Sequence, residues 1–148
     1  MSILTERLQI IPCTFENVAE FGHNYEIGPH IHMYLEELER DSSYNGWGVW
    51  FVILKDTNEV IGDIGFKGKP LDGQVEIGYG IIPTAQNKGY ATEAVQGLID
   101  WAFSSGKVEK IIAECLIDNA ASIKVLEKVG MTRSTSNNEM LFWEIVKN

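Results

Sequence analysis

The sequence is short of basic side chains and of long apolar runs. Lysine and arginine together number 12 against 21 aspartates and glutamates, which gives a formal net charge of −9. Such an excess of negative charge disfavours nucleic acid as a partner. No apolar run approaches the roughly 20 residues that a membrane-spanning helix needs, so no membrane partner is predicted. The first residues show no basic region followed by an apolar block, and we therefore expect a cytoplasmic protein without a signal peptide.

Cysteine and histidine are also scarce, with two and three copies. Cys13 and Cys115 lie in apolar, strand-like contexts without C-x-x-C spacing, which favours reduced, buried thiols over a disulfide or a nucleophile. His30 and His32 lie two residues apart on a predicted helix and point in different directions, and no third ligand has suitable spacing. We therefore expect no metal.

The chain does contain enough apolar residues for one core. Its 148 residues are 45% hydrophobic and 22% charged, which is ordinary for a single globular domain spanning residues 1–148. Periodicity and turn residues predict a mixed α/β order of strands and helices. The predicted strands are 4–12, 47–55, 60–67, 74–82, 108–117, 131–136 and 140–147, and the predicted helices are 14–22, 29–40, 90–105 and 120–129.

The order of these elements predicts the sheet. The strand, helix and strand within 74–117 predict one parallel pair with a right-handed crossover, in an otherwise antiparallel sheet. Strand 108–117 is apolar on both sides, so we expect it to be central and buried on both faces. The closing strands 131–136 and 140–147 form a hairpin whose edge a second copy of the chain could pair with, which would give a homodimer.

The junction between strand 74–82 and helix 90–105 carries the most informative residues. Backbone N–H groups at a helix start lack intrahelical partners, and the helix dipole adds partial positive charge there, so an anion such as phosphate is the expected ligand. Gly89 has no Cβ, which lets the main chain approach a ligand or adopt positive φ, and Lys88 adds a charge. An ordinary strand-to-helix turn is the simpler explanation of Gly-x-Ala when that tripeptide is considered alone.

Two segments together resemble one family. Gln86-x-x-Gly89-x-Ala91, directly after the strand Glu-Ile-Gly-Tyr-Gly-Ile, resembles the acyl-CoA pyrophosphate loop of the GNAT N-acetyltransferase superfamily. Residues 119–131, with Asn-Ala-Ala-Ser followed by Val-Leu-Glu-Lys-Val-Gly-Met, are similar to the matching segment of the branch that includes ribosomal-protein N-terminal acetyltransferases. The opening Leu-Thr-Glu-Arg-Leu is similar to the first strand of that branch, and the likeness is weakest from about residue 24 to 44.

The resemblance implies a GNAT-like fold, with a central mixed, mostly antiparallel sheet of about seven strands, four helices, and strands splayed at the acyl-CoA site. It also implies transfer of an acetyl group from acetyl-CoA to a primary amine by direct attack in a ternary complex. The acceptor would be a protein N-terminus or a small cationic amine. One alternative is a non-catalytic module that binds or senses acyl-CoA, and another is a purely structural domain.

By the same resemblance, acetyl-CoA would be held largely by backbone groups and by the start of a helix. N–H groups near Ile81 and Ile82 would bind pantetheine and the thioester carbonyl, and Lys128 would approach the ribose phosphate unless it is only solvated. Asn119 and Ser122 match family residues at pantetheine and the leaving sulfur. The pyrophosphate would be bound by the loop and the first helical turn, at Gln86, Asn87, Lys88, Gly89, Tyr90, Ala91 and Thr92.

Two catalytic residues are also implied by the resemblance. Glu76 lies on the strand where several family members place a general base, and the competing interpretation is a structural carboxylate paired across the sheet. Ser122 is the candidate general acid. Leu126 occupies the position where many members have a tyrosine, so water remains the alternative proton donor.

The acceptor candidates are Tyr25, His30, Tyr34 and the loop 68–73. The spacing of Tyr34 from its apolar neighbours also fits a core residue. Residues 1–74 hold 12 acidic and 5 basic side chains, net −7, whereas residues 75–148 hold 9 and 7, net −2. The acidic half would attract a cationic acceptor, or it only keeps the protein soluble.

Overall fold

Eight strands and four α-helices make up the fold, and the computed structural model describes residues 1–148. The strands are β1 (Ile3–Leu4), β2 (Leu8–Pro12), β3 (Val49–Leu54), β4 (Val60–Phe66), β5 (Gln74–Ile81), β6 (Lys110–Leu116), β7 (Thr132–Ser136) and β8 (Met140–Val146). The helices are α1 (Phe15–Phe21), α2 (Pro29–Arg40), α3 (Tyr90–Ser104) and α4 (Ala120–Lys128). Short 3₁₀ turns lie at Ser42–Tyr44 and Pro83–Ala85.

The strands form one mixed sheet in the order β1-β2-β3-β4-β5-β6-β8-β7. β5 and β6 run parallel, and every other neighbouring pair is antiparallel. This confirms the predicted mixed, mostly antiparallel sheet, with eight strands in place of about seven. β7 forms one edge, and all five of its residues are exposed, so pairing with a second copy stays a prediction.

The additional strand lies at the start of the chain, where the prediction of a single strand 4–12 is wrong. The Thr5 N–H donates to the Leu8 carbonyl at 3.0 Å, which closes a turn. The turn folds β1 back on β2, with Ile3 opposite Ile10. Apolar residues alternate on both sides of this turn, so the periodicity of the sequence does not reveal it.

Local sequence explains where the helices begin. Thr14 and Asn17 form a capping box at α1, in which each side chain accepts from the backbone N–H of the other, at 3.0 and 2.8 Å. Pro29 occupies the first turn of α2, where a missing N–H costs no helical hydrogen bond. At α4 the Asn119 side chain accepts from the Ser122 N–H at 3.1 Å. None of these helices combines the length and the apolar character that crossing a lipid bilayer requires.

The helices cover the two faces of the sheet and enclose two apolar cores. On the face of α3 and α4, a cluster of 25 buried residues includes Trp50, Ile111 and Trp143. On the face of α1 and α2, a cluster of seven includes Ile31 and Phe51. Each large side chain that is fully buried contributes roughly 1.5–3 kcal/mol to stability. The two cores therefore stabilise the sheet that carries the candidate site residues.

β6 lies inside the sheet as predicted, between β5 and β8, but helices cover only one of its faces. Ile111 and Cys115 are buried, whereas Glu114 and Leu116 on the opposite face are exposed. The core under α1 and α2 extends over β2, β3 and β4 and leaves this second face open. The prediction of two buried faces is therefore wrong. The prediction of free, buried thiols at Cys13 and Cys115 is confirmed.

Candidate active site

β5 and β6 begin side by side and then separate. Their parallel pairing covers Gln74 to Glu76 against Lys110 to Ile112 and goes no further, although β5 continues to Ile81 and β6 to Leu116. Beyond that point β5 is paired only with β4, and β6 only with β8. A cavity of about 310 Å³ lies between them, and we call it the wedge. The splayed strands that the sequence predicts are therefore present.

Alternate backbone groups of β5 face the wedge. The Ile82 N–H donates to the Ile61 carbonyl at 2.8 Å, and the Glu76 carbonyl accepts from the backbone N–H of Lys67 at 3.0 Å. The backbone groups of the even-numbered residues of β5 are therefore directed towards β4. By the alternation of an antiparallel ladder, Tyr79 and Ile81 direct their N–H groups towards the wedge. Of the two amides predicted to hold pantetheine, that of Ile81 is thus directed at the wedge and that of Ile82 is already engaged.

The loop between β5 and α3 ends in an uncapped helix start. The Gln86 side chain donates to the Ile81 carbonyl at 2.8 Å and so ties the loop to the end of β5. Asn87 and Gly89 both have positive φ, at 62° and 83°, and no side chain caps α3. The N–H groups of residues 90–92 have no intrahelical partners in such a geometry, and they suit an anion.

Arg7 holds this loop from the turn between β1 and β2, and sequence reasoning misses it. Its Nε lies 2.7 Å from a Glu93 carboxylate oxygen, and its guanidinium donates to the Lys88 carbonyl at 2.8 Å. The guanidinium also lies 4.3 Å from the centroid of the Tyr90 ring. The hydrogen bond to Glu93 is the main cause that raises the pKa of Arg7. The only sequence signal is an arginine within a segment that otherwise indicates a strand.

α4 brings two of its three predicted residues to the wedge. Asn119 and Ser122, at the start of the helix, line it. Lys128 is exposed in the last turn of the helix, about 9 Å along the axis from Ser122 at 1.5 Å per residue, and it does not line the wedge. Leu126, at the position where the family has a tyrosine, is only 1% exposed and belongs to the core.

Tyr79 places a second hydroxyl group in the wedge beside Ser122. The Tyr79 hydroxyl is buried and makes no hydrogen bond. Ser122 is close enough to affect it without the geometry of a hydrogen bond. Burial is the main cause that raises the pKa of Tyr79, so the phenol is protonated at neutral pH and able to donate. The family resemblance does not reveal Tyr79, because the tyrosine of the family lies at the position of Leu126 on α4, whereas Tyr79 lies on β5.

Glu76 is the last residue of β5 that pairs with β6, and its side chain forms an ion pair with Lys67. Its carboxylate accepts from the Lys67 ammonium at 2.6 Å, across the β4–β5 pair. Lys67 also lines the wedge. This contact is the one that the competing interpretation describes, a carboxylate paired across the sheet, and the role of Glu76 as a general base stays a prediction.

A larger cavity of about 800 Å³ lies on the α2 face of the sheet, and we call it the α2 cavity. It shares Lys67, Gly78 and Tyr79 with the wedge, so the two cavities adjoin at β5. Gly78 and Gly80 leave part of its floor bare. A Cβ at Gly80 would meet no atom within 4 Å, and one at Gly78 would meet only the Lys67 side chain at 3.8 Å. A ligand in the α2 cavity can therefore approach the backbone of β5.

Two of the three predicted acceptor residues, His30 and Tyr34, line the α2 cavity. Tyr34 is mostly core, because it is 7% exposed and its ring fills the space where a Cβ at Gly48 would stand, 1.8 Å away. Tyr25 contributes through Asp63, to which its hydroxyl donates at 2.6 Å, and His30 Nε2 lies 2.8 Å from the same carboxylate. No three His, Cys, Asp or Glu side chains converge here or elsewhere to hold a metal ion.

The predicted acceptor loop 68–73 borders the α2 cavity through Gly68 and is fastened to the end of α2. Lys69 donates to the Asp41 carboxylate at 2.7 Å and to the Ser43 hydroxyl at 3.0 Å. The hydrogen bond from Lys69 is the main cause that lowers the pKa of Asp41 to about 2. These contacts connect the loop to the end of α2 at the rim of the cavity.

Sequence comparison identifies the family. Residues 13–132 match the family model described as an acetyltransferase (GNAT) domain. The uncharacterized N-acetyltransferase YjdG of Bacillus subtilis (strain 168) is 37% identical over 114 residues, which is 76% of this chain and 68% of that protein. The ribosomal-protein-serine acetyltransferase of Escherichia coli (strain K12) is 34% identical over 86 residues, 57% of this chain and 48% of that protein. The chain thus matches from about half to two thirds of the length of these curated relatives.

Solved structures agree with this result. The GNAT-family acetyltransferase from Bacillus anthracis superposes with a TM-score of 0.75 at 26% identity, covering 99% of this chain and 98% of its own. RimL, a ribosomal L7/L12 alpha-N-protein acetyltransferase in complex with coenzyme A, shares the fold with a TM-score of 0.80 at 15% identity and the same coverage. The predicted fold and the resemblance to the ribosomal-protein branch are confirmed. The chain belongs to the GNAT family of acetyltransferases, which are acetyl-CoA-dependent acyltransferases.

Proposed function

We propose that this protein transfers the acetyl group of acetyl-CoA to a primary amine by direct attack in a ternary complex. The observation that carries the proposal is the junction of the wedge and the α2 cavity at Lys67, Gly78 and Tyr79. A thioester in the wedge and an amine in the α2 cavity would meet beside β5. Membership of the GNAT family and the coenzyme A bound to RimL, which shares the fold, support acetyl-CoA as the donor.

Loop and helix-start amides would hold the donor's pyrophosphate. The uncapped start of α3 and positive φ at Gly89 expose main-chain N–H groups, and Lys88 adds an exposed ammonium. The unpaired edge of β5 would hydrogen-bond the pantetheine arm, with Ile81 as the nearest free amide to the loop. Asn119 and Ser122 lie on the opposite wall of the wedge. These residues fit a long, polar ligand that has a diphosphate at one end.

Three chemical tasks remain for the residues at the junction. The Tyr79 N–H would stabilise the oxyanion that forms at the thioester carbonyl, and the Ile81 N–H, two residues further along the strand, would bind the pantetheine arm. The Tyr79 and Ser122 hydroxyls are the two candidates to protonate the leaving sulfur. Removal of the amine proton is the task predicted for Glu76, and its ion pair with Lys67 at 2.6 Å weakens that assignment.

Charge in the α2 cavity favours a cationic acceptor. Glu37 is paired with Arg40 at 2.8 Å, Lys67 is paired with Glu76, and Asp63 is engaged by Tyr25 and His30. The exposed Glu36 carboxylate is the remaining charged group that lines the cavity. A volume of about 800 Å³ is at the upper end of the range for small-molecule sites and accommodates the first residues of a peptide. We favour a protein N-terminal amine, because the E. coli relative is a ribosomal-protein-serine acetyltransferase. A small cationic amine is the alternative.

Thiol release from acetyl-CoA tests the proposal. The amine panel comprises peptides with N-terminal serine or alanine, spermidine and an aminoglycoside. We expect turnover with at least one of them and heat on titration of coenzyme A. Binding without turnover on any amine would favour the alternative, a non-catalytic acyl-CoA module. No binding and no rise in melting temperature with acetyl-CoA would leave a structural domain.

A further inference from the structure

The Asp63 carboxylate on β4 is the centre of a cluster that the family motifs do not include. One of its oxygens accepts from the Tyr25 hydroxyl at 2.6 Å, and the other lies 2.8 Å from Nε2 of His30. The Asp63 side chain is 18% exposed and that of His30 is 55% exposed. The carboxylate is thus largely covered by its surroundings, whereas the imidazole opens onto the α2 cavity.

The contact with Asp63 determines which nitrogen of His30 is free. An ionised carboxylate only accepts hydrogen bonds, so Nε2 carries the hydrogen and Nδ1 keeps a lone pair. The Nδ1–Cε1 edge of the ring lies against residue 28, a position that only glycine permits. A Cβ at Gly28 would lie 2.8 Å from both Nδ1 and Cε1. The imidazole is therefore held through one nitrogen and able to accept a proton on the other.

The cluster lies beside the junction of the two cavities. Asp63 is directly opposite Gly80 in the β4–β5 pair, and Gly80 belongs to the bare floor of the α2 cavity. An amine on this floor would lie between the wedge, reached past Gly78, and the imidazole of His30. Glu76, on the same strand, already has an ammonium partner. His30 is therefore better placed than Glu76 to meet the amine.

We propose that His30 accepts the proton of the acceptor amine and that Asp63 and Tyr25 are positioning residues that orient its ring. This inference rests on the proposed acetyltransferase function. Two protons leave the substrate ammonium. The first passes to Nδ1 of His30 and from there to solvent. As the C–N bond forms and the C–S bond breaks, the second proton ends on the departing sulfur, by way of the Tyr79 or Ser122 hydroxyl.

Two groups in contact with the cluster keep their protons, and several charged groups line the same cavity. Burial is the main cause that raises the pKa of Tyr25 and of Cys13, and the negative charge of Asp63 adds to both shifts, so both groups stay protonated. The other charged residues that line the cavity are Glu36, Glu37, Arg40 and Lys67. We expect turnover to fall as the pH is lowered, because a protonated imidazole cannot accept a proton.

The test compares His30→Gln with His32→Gln, a matched change at an exposed histidine two residues along the same helix. Thiol release is measured with two acceptors: the amine of the panel that the wild-type protein uses fastest, and hydroxylamine, which is already unprotonated at neutral pH. We expect His30→Gln to lower kcat for the amine by roughly 100-fold or more, to abolish its acidic decline, and to leave the hydroxylamine rate and acetyl-CoA affinity unchanged. His32→Gln should match the wild type. Asp63→Asn should lower kcat by a larger factor than it changes KM.

Each remaining outcome overturns the inference. Full activity of His30→Gln with the amine removes the proton acceptor role, and an equal loss with both acceptors means that His30 only supports the cavity. If the wild-type protein acetylates hydroxylamine but no amine of the panel, it does not deprotonate an ammonium group. Failure of the wild-type protein to bind acetyl-CoA would instead overturn the proposed function, so the two failures are distinguishable.

Discussion

The guanidinium of Arg7 lies 2.7 Å from the carboxylate of Glu93, and it donates to the Lys88 carbonyl at 2.8 Å. These contacts join the turn between β1 and β2 to the first turn of α3. The backbone N–H of Arg7 and the Thr5 hydroxyl also donate to Glu93. The start of the chain therefore holds the loop that we assign to the pyrophosphate.

Arg7→Ala should weaken coenzyme A binding by about tenfold, the size of one charge-assisted hydrogen bond at a partly exposed position. The loop at Lys88 would lose its outer support, and the anion site would lose a nearby positive charge. Isothermal titration calorimetry with coenzyme A measures the change. Arg133→Ala is the control, because Arg133 is an exposed arginine on β7 whose guanidinium lies 5.3 Å from the centroid of the Trp143 ring, outside the loop. Equal affinity in both variants would contradict the role of Arg7.

Glu93 should make this link depend on pH. Burial raises the pKa of Glu93, but the hydrogen bonds from Thr5 and Arg7 outweigh it and lower the pKa below the ordinary 4.5. A carboxyl group with a lowered folded pKa contributes stability that is fully present above 4.5 and is lost as the pH falls through the folded value. The free energy of unfolding of the wild type minus that of Glu93→Gln should therefore be constant near neutral pH and shrink in acid. Urea denaturation across this range measures it, and a difference independent of pH would count against the pairing.

The sequence predicts the parts of the site that depend on local residues. The uncapped start of α3 and the positive φ of Gly89 follow from a strand, a polar loop and a glycine in succession. The Lys67–Glu76 pair and the Asp63–His30 contact depend instead on strand register and on how α2 docks. Apolar periodicity does not fix either arrangement, because a shift of one residue in register would turn both carboxylates to the other face.

Gly89→Val should abolish acetyl-CoA binding with only a modest loss of stability. A Cβ at Gly89 would enter the anion site and lie 3.2 Å from the Arg7 guanidinium. Gly106→Val is a matched control at the other end of α3, since Gly106 has a similar φ of 76° and open space around it. Both variants carry the strain of a β-branched residue at positive φ, roughly 1–2 kcal/mol, so their melting temperatures should fall together. If Gly89→Val retains its affinity, the loop does not bind the pyrophosphate.

Tyr79→Phe should lower kcat while making the fold slightly more stable. The Tyr79 hydroxyl is buried without a partner, and such a group costs roughly 1–3 kcal/mol, so removing it should raise the free energy of unfolding. Acetyl-CoA affinity should not change, because the ring still fills the same space. Steady-state kinetics beside Ser122→Ala will show which hydroxyl protonates the sulfur. An unchanged kcat in Tyr79→Phe assigns that step to Ser122 or water.

Gly80→Leu should raise KM for the amine by at least tenfold and leave the Kd for acetyl-CoA unchanged. A Cβ at Gly80 meets nothing within 4 Å and Gly80 is not at positive φ, so the fold accepts the new side chain. That side chain would occupy the bare floor of the α2 cavity, opposite Asp63, where the amine is proposed to lie. Gly80→Ala provides the graded control and should change KM much less. His30→Gln acts on kcat, so the two variants separate acceptor binding from proton transfer. An unaltered KM in a folded Gly80→Leu protein would place the acceptor elsewhere.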